Sequence, residues 1–337
     1  MKVSSVVELI QGKLSNSPAI SSFSSIAVDL NYVKKGSLFV AKNQDDIQKA
    51  IANGAYGVIY KDAAQLLDSE IAWIKVNSLD DSILRLIRYI IITKKISVFA
   101  LKPLELRIFE KICKDDGVYI FKKDFDALLT DLQNRQINAI ASAHADFLSI
   151  ALSQIPSIAP QEPSFKISQA TLFDMQFYYD SCLYHIPLPA LFLNEISSVI
   201  YLCENYNITF DLAKFSPLLD LMPLFINTSN FELLNYAQGN CAILALEHKD
   251  LFESYANYIS QNGKWGVFAQ FIPESFDINA LNLDSSNIIY YQSMLDLLNL
   301  ICKTHFNFGV ILGITNETFL RALEVAKPAE TSLFDCL

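Results

Sequence analysis

The chain has 337 residues, 52% of them hydrophobic, and a formal net charge of −10. This length predicts two or three domains with sizeable cores. The acidic balance and the lack of a basic block exclude nucleic acid as an expected partner. The apolar region Ser82–Ala100 carries four basic residues and does not predict a membrane span. Because the N-terminus also lacks a signal-peptide pattern, we expect a cytoplasmic protein.

The six cysteines are scattered along the chain, and none forms a Cys-x-x-Cys pair. Without an export signal, this pattern favours buried free thiols over disulfides or metal ligands. The four histidines are also dispersed, with no pair at helical ligand spacing. The hydrolase, zinc-protease and dinucleotide motifs Gly-x-Ser-x-Gly, His-Glu-x-x-His and Gly-x-Gly-x-x-Gly are absent. No common catalytic signature is therefore predicted.

The first 94 residues read as one small α/β unit. Ser78 or Asp80 is the expected N-cap of its last helix. The predicted strands are Ile26–Val28, Leu38–Ala41, Val58–Tyr60 and Ile71–Val76, and the predicted helices are Val6–Lys13, Ile47–Ala52, Ala63–Leu67 and Asp80–Ile92.

The next part, to about residue 155, alternates strand and helix at a spacing typical of a parallel, doubly wound sheet. Its predicted strands are Ile96–Ala100, Gly117–Phe121 and Ile137–Ala141, and its helices are Pro103–Lys114 and Asp124–Gln133. A connector at Ile155–Pro163, a hairpin within Phe165–Ser181 and helices at Ala190–Asn205 and Leu212–Leu219 should follow.

The last third alternates in the same way and predicts a Rossmann-like sheet. The predicted strands are Ala242–Leu246, Trp265–Phe271, Ile288–Tyr291 and Phe308–Leu312, and the helices are Lys249–Gln261, Ser293–Thr304 and Glu317–Val325.

Ile26–Tyr60 joins Asp29 after a strand, a Lys34-Lys35-Gly36 turn, a second strand and a helix ending at Asn53-Gly54. This order resembles the N-terminal domain of the Mur ligases, ATP-driven enzymes that add amino acids to a UDP-N-acetylmuramoyl precursor of peptidoglycan, and most of all the MurF type. The resemblance implies an α/β fold in three domains. These would be a small α/β domain (1–94), a reduced central parallel sheet (95–224) and a Rossmann-like domain (225–337).

In that family, the strand after the first domain runs into a loop of the type G-[TS]-x-G-K-T. Its backbone N–H groups, lysine and hydroxyl hold phosphates and Mg²⁺. The matching segment here, Phe99–Arg107, reads FALKPLELR. It has no glycine and no hydroxyl after Lys102, Pro103 cannot donate, and Glu105 brings negative charge. We predict a plain βα turn with proline at the helix start and no family-type ATP site.

Other positions that the resemblance marks for ligand binding are changed as well. Asp29-Leu30-Asn31 stands in place of Asp-Ser-Arg, so a basic residue is missing. Asp29 either orients a sugar or uridine group or caps the next turn, and we favour the capping role. Lys34 and Lys35 either bind a diphosphate or lie in solvent at the tip of the turn, and we favour the solvated tip. The candidate ligand-binding residues are Asp29, Asn31, Lys34, Lys35, Lys102 and Asn194.

His144 and Asp146 follow the strand Ile137–Ala141 and resemble a family stretch in which a histidine helps to hold a metal. They are weak metal candidates, and a helix-capping role for His144 is favoured. The family's arginine and its Asp-Asp-x-Tyr-Asn-Ala-x-Pro motif should fall at Met222–Phe225 and at Glu247–Asp250, where neither is present.

These losses predict a non-catalytic Mur-ligase-like protein that binds a UDP-N-acetylmuramoyl peptide or a cell-wall enzyme, without a cofactor. A MurF-type ligase or other transferase with replaced nucleotide-site residues, using ATP and Mg²⁺, is the first alternative. A structural partner subunit is the second.

Overall fold

The computed structural model describes residues 1–62, 65–151, 165–235, 238–239, 241–277, 281–283 and 287–326. The chain divides into two compact units, Met1–Ala159 with Leu202–Phe210 and Pro160–Tyr201 with Asp211–Leu337. Both contain helices packed on sheets, so the predicted α/β class is confirmed. The three-domain bounds at 94 and 224 stay a prediction, and the predicted connector Ile155–Pro163 lies outside the described residues.

The first unit contains a five-stranded sheet in the order β1-β5-β4-β3-β2, parallel except for the β1–β5 pair. Its strands are β1 (Lys13–Leu14), β2 (Ser25–Ala27), β3 (Ser37–Val40), β4 (Ala55–Tyr60) and β5 (Ala72–Lys75). Its helices are α1 (Val3–Leu9), α2 (Asp45–Ala52) and α3 (Leu79–Lys94). The predicted N-cap Ser78 accepts a hydrogen bond from the Asp81 N–H of α3 (3.2 Å).

A second, parallel sheet in this unit has the order β6-β8-β7. Its strands are β6 (Ser97–Ala100), β7 (Val118–Ile120) and β8 (Ala139–Ser142), and its helices are α4 (Pro103–Ile112), α5 (Phe125–Asn134) and α6 (Ala145–Ala151). Leu86 and Ile87 of α3 share one buried cluster with Leu128 and Leu129 of α5. Residues on both sides of position 94 thus contribute to a common core.

The second unit contains a small antiparallel sheet and a six-stranded sheet. The small sheet joins β9 (Lys166–Ala170), β10 (Met175–Tyr179) and β11 (Cys182–Ile186) in the order β11-β10-β9. The large sheet has the order β13-β12-β14-β17-β15-β16. The four strands β14, β17, β15 and β16 are parallel to one another, whereas the β12–β14 and β12–β13 pairs are antiparallel. Its strands are β12 (Leu224–Asn227), β13 (Glu232–Leu234), β14 (Cys241–Leu246), β15 (Phe268–Pro273), β16 (Ile288–Tyr291) and β17 (Phe308–Leu312). The helices of this unit are α8 (Lys249–Asn262), α9 (Met294–Lys303) and α10 (Asn316–Ala326), together with the part of α7 (Leu193–Asn205) before Leu202, where the first unit resumes.

Four predicted elements need correction. The first helix ends at Leu9 rather than Lys13, because Gln11 has a positive φ of 53° and the Gly12 N–H bonds back to Val7 (2.9 Å). Residues 65–67 are not helical. The predicted helix Leu212–Leu219 is replaced by two 3-10 turns, Leu212–Lys214 and Leu219–Leu221, because Pro217 interrupts it. Trp265 lies outside its predicted strand, in a turn before β15.

Among the described residues, no helix is both long enough and apolar enough to cross a membrane.

The five described cysteines are free thiols, as predicted, but only Cys203 and Cys241 are buried. Burial raises the pKa of the Cys241 thiol to about 12 and also raises the pKa of Cys203. Cys182 and Cys302 are exposed.

Among the five described cysteines, we expect a maleimide to label Cys182 first in the folded protein at neutral pH. Cys182 is exposed, whereas partial burial raises the pKa of the Cys302 thiol and its Sγ lies 3.0 Å from the Thr228 carbonyl, and the thiolate is the reactive form. Cys203 and Cys241 should react only after urea unfolding. Peptide mass spectrometry of both samples measures this. Native-state labelling of Cys203 or Cys241 as fast as Cys182 would contradict the packing.

Candidate functional site

The carboxyl edge of the β6-β8-β7 sheet is the candidate site, since ligands of open α/β sheets bind at this edge. Ala100 pairs with Ser142, and the Leu101 N–H donates to the Ser142 carbonyl (3.0 Å). The strands β6 and β8 therefore end side by side. Lys102 and His144, which follow them, are brought to the same edge.

At the start of α4, the carboxylate of Glu105 lies at the helix N-terminus. The backbone N–H of Lys102 donates to Oε2 of Glu105 (2.8 Å), and Pro103 occupies the first turn. Only 8% of the Glu105 surface is exposed. A carboxylate at a helix N-terminus is stabilised by the free N–H groups and the helix dipole. This carboxylate thus satisfies one of the backbone donors that a bound phosphate could otherwise use.

The Lys102 side chain is largely exposed, and its Nζ lies 4.0 Å from Oε1 of Glu105. Exposed pairs at this distance contribute little stability. The ammonium group is therefore held only loosely, with its nearest counter-charge in its own helix.

His144 is half-buried, and its ring contacts Phe121 edge to face at 5.8 Å. Its backbone N–H donates to Ser142 Oγ (3.0 Å) and its carbonyl accepts from Leu148 in α6 (3.0 Å). Asp146 lies in the first turn of α6 and is exposed. Within the described ranges, no group of three or more His, Cys, Asp or Glu residues is arranged to hold a metal ion. His144 therefore begins a helix and packs on an aromatic ring.

Asp29 and Asn31 lie together in a polar cavity of about 680 Å³ between the first sheet and α5. Asp29 accepts a hydrogen bond from the Asn31 N–H (2.8 Å), so the predicted capping role is confirmed. Lys42 also lines the cavity and pairs with Asp126 of α5 at 2.5 Å.

The charge of this cavity is acidic. Its charged lining residues are five aspartates and one lysine: Asp29, Asp46, Asp124, Asp126, Asp131 and Lys42. Near a protein surface, two like charges 4 Å apart repel by about 4 kcal/mol. A diphosphate placed here would meet several carboxylates and a lysine already paired with Asp126.

The two turn lysines are exposed. Gly36 has a φ of 90°, and the Lys34 N–H donates to Ser37 Oγ (2.8 Å), which fixes the turn. Neither lysine lines the acidic cavity. The turn geometry supports the solvated-tip interpretation.

Asn194 is exposed near the start of α7, in the second unit. In that unit, Asn316 is a buried polar residue at the start of α10, after β17, and sequence reasoning missed it. Its Oδ1 accepts from Ala245 N–H (2.8 Å), and its Nδ2 donates to the carbonyls of Leu219 (3.1 Å) and Met222 (2.7 Å). These bonds tie loops together and use both ends of the amide.

The residues that line the acidic cavity were also missed, apart from Asp29 and Asn31. Lys42 and Asp126 are 84 positions apart in the sequence. A local signal existed only for Asp124, which begins the predicted helix Asp124–Gln133 and caps α5 through the Ala127 N–H (2.9 Å).

Solved structures that match this chain include Mur ligases, at low sequence identity. A MurF crystal structure from Acinetobacter baumannii shares 11% identity with a TM-score of 0.48, covering 96% of this chain and 98% of that one. MurF ligase from Thermotoga maritima in complex with ADP shares 12% identity with a TM-score of 0.48, covering 89% and 98%. The murein peptide ligase Mpl from Psychrobacter arcticus shares 9% identity with a TM-score of 0.37, covering 85% and 93%. No family model and no curated protein matches the chain. At these values the likeness assigns neither family membership nor activity.

We expect Glu105→Ala to lower the free energy of unfolding by about 1 kcal/mol, because the Lys102 N–H loses its acceptor. Glu105→Gln should cost less, since its amide oxygen can still accept. Urea unfolding measures both changes. The control is Glu110→Ala. Glu110 lies on the exposed face of the same helix, and its carboxylate pairs with Lys122, which lies outside the helix. An equal loss in Glu110→Ala and Glu105→Ala would contradict the capping role.

Proposed function

We propose that this chain is a Mur-ligase-like protein that does not bind ATP in the manner of the family and acts by binding a partner protein in peptidoglycan metabolism. The observation that carries the proposal is the hydrogen bond from the Lys102 N–H to Glu105 at the start of α4 (2.8 Å). A phosphate at this place would have to displace a buried carboxylate and would gain no glycine-loop donors in exchange.

A partner protein is favoured over the UDP-N-acetylmuramoyl peptide by the charge of the cavity that holds Asp29 and Asn31. Five aspartates line it, and the arginine that the resemblance leads one to expect is replaced by Asn31. The link to peptidoglycan itself rests on the resemblance of Ile26–Tyr60 to the Mur ligases.

The alternative is an ATP-dependent ligase or transferase with replaced residues. The exposed Lys102 and the half-buried His144 at neighbouring strand ends are the observation that favours it. Under this alternative, Lys102→Ala should weaken nucleotide binding.

The third candidate, a structural partner subunit, is favoured by large apolar side chains on the surface, such as Leu219 and Leu295. It requires a stable oligomer, which the mass of the protein in solution would reveal.

Isothermal titration calorimetry with ATP and Mg²⁺ tests the proposal. We expect no saturable binding up to about 1 mM ATP, the upper end of common KM values. UDP, used as the probe for the precursor, should likewise show none.

Tight binding of ATP that requires Mg²⁺ and is weakened by Lys102→Ala would contradict the proposal and support the enzyme alternative. Saturable UDP binding that is lost in Asn31→Ala would favour the precursor over a partner protein.

A further inference from the structure

The second unit contains a cavity of about 410 Å³ that is lined mainly by apolar side chains. It lies where β14 and β17 begin, which is the amino edge of the large sheet and opposite to the edge at which α/β sheets bind substrates. None of its described lining residues is charged. Its volume falls within the range of about 300–1,000 Å³ that is typical of ligand pockets.

Four aromatic rings form much of this cavity: Phe173, Phe225, Trp265 and Phe308. Phe308 contacts Trp265 at 4.8 Å with an interplanar angle of 88° and Phe173 at 6.1 Å with 58°. Phe173 contacts Phe225 at 6.2 Å and 87°. Tilted and edge-to-face contacts are the favoured geometries of aromatic pairs, so the rings support one another in a preformed arrangement.

Trp265 is placed by a tight turn. The Gly266 N–H donates to the Gly263 carbonyl (3.0 Å), and a Cβ at Gly266 would lie 2.7 Å from the Phe308 ring. Glycine at this position therefore lets the Phe308 ring pack against the turn. Although Trp265 lines the cavity, 76% of its surface is exposed, so it lies at the opening.

We propose that this cavity receives an aromatic side chain of a partner protein, with Trp265 as the main contact at its opening. The inference rests on the proposed binding function and names its surface. An exposed tryptophan beside an apolar pocket is typical of the residues that dominate protein interfaces.

The chemistry of the lining selects the occupant. An ionised group would lose its hydration without a counter-charge among the described lining residues, whereas an aromatic ring buries about 150–250 Å² of surface. The Oδ1 atom of Asn307 accepts from the Val267 N–H (2.9 Å), so its amide NH₂ is the end that can donate to a partner's backbone carbonyl. An uncharged aromatic anchor carried on a peptide backbone matches both features.

The probe is N-acetyl-phenylalaninamide, with N-acetyl-alaninamide as the matched control, observed by saturation-transfer NMR on the full chain. We expect saturable binding of the phenylalanine probe only. Because Trp73 is fully buried in the other unit, a probe-induced change in tryptophan emission should come from Trp265 and vanish in Trp265→Phe.

Trp265→Ala should weaken binding at least tenfold, as expected for a dominant contact. Leu295→Ala removes an equally exposed apolar side chain outside the cavity and should change binding less than twofold. The inference would be overturned if the protein bound both probes equally or did not bind the phenylalanine probe. It would also be overturned if the Trp265→Ala variant bound that probe as tightly as the native chain. Binding of free benzyl alcohol as tight as that of the amide probe would overturn it as well, since that result would mark a small-molecule site. None of these outcomes depends on whether the protein binds ATP, so this inference and the proposed function can fail separately.

Discussion

The hydrogen bond between the Lys102 backbone and the Glu105 carboxylate is the constraint on which the functional account depends. Together with Pro103, it stabilises the first turn of α4. It also places the buried Glu105 carboxylate at the carboxyl edge of the β6-β8-β7 sheet. In phosphate-binding folds, that position is held open by glycine so that an anion from solution can bind. Here the anion is part of the helix.

The charges elsewhere in the first unit agree with this arrangement. The cavity at Asp29 is lined by aspartates, and its lysine is paired with Asp126. At both places, the lysine that a nucleotide or a diphosphate could use thus lies beside a carboxylate of this chain. In the second unit, the Asn316 amide bonds to the Ala245 N–H and to the carbonyls of Leu219 and Met222. The uncharged aromatic cavity lies at the amino edge of the large sheet, opposite to the edge at which α/β sheets bind substrates.

Much of the fold followed from periodicity. The strands Ile288–Tyr291 and Phe308–Leu312 agree to the residue, and the start of α4 at Pro103 was expected because proline has no N–H to satisfy there. The sequence also marked Glu105 as unfavourable for a polyphosphate. It did not indicate that Glu105 bonds to Lys102. The Lys42–Asp126 pair and the aromatic cavity join distant segments through packing, which local patterns do not encode. The apolar run predicts a strand from Trp265, but the Gly266 N–H donates to the Gly263 carbonyl and places Trp265 in a turn.

The most direct measurement is an ¹⁵N NMR titration with inorganic diphosphate that follows the backbone amide of Lys102, in the native chain and in Glu105→Ala. The account predicts that this amide shift does not change in the native chain, because the Glu105 carboxylate already accepts from the Lys102 N–H. A saturable shift of the Lys102 amide in the native chain, equal to that in Glu105→Ala, would show that the helix start is open to phosphate and would contradict the account.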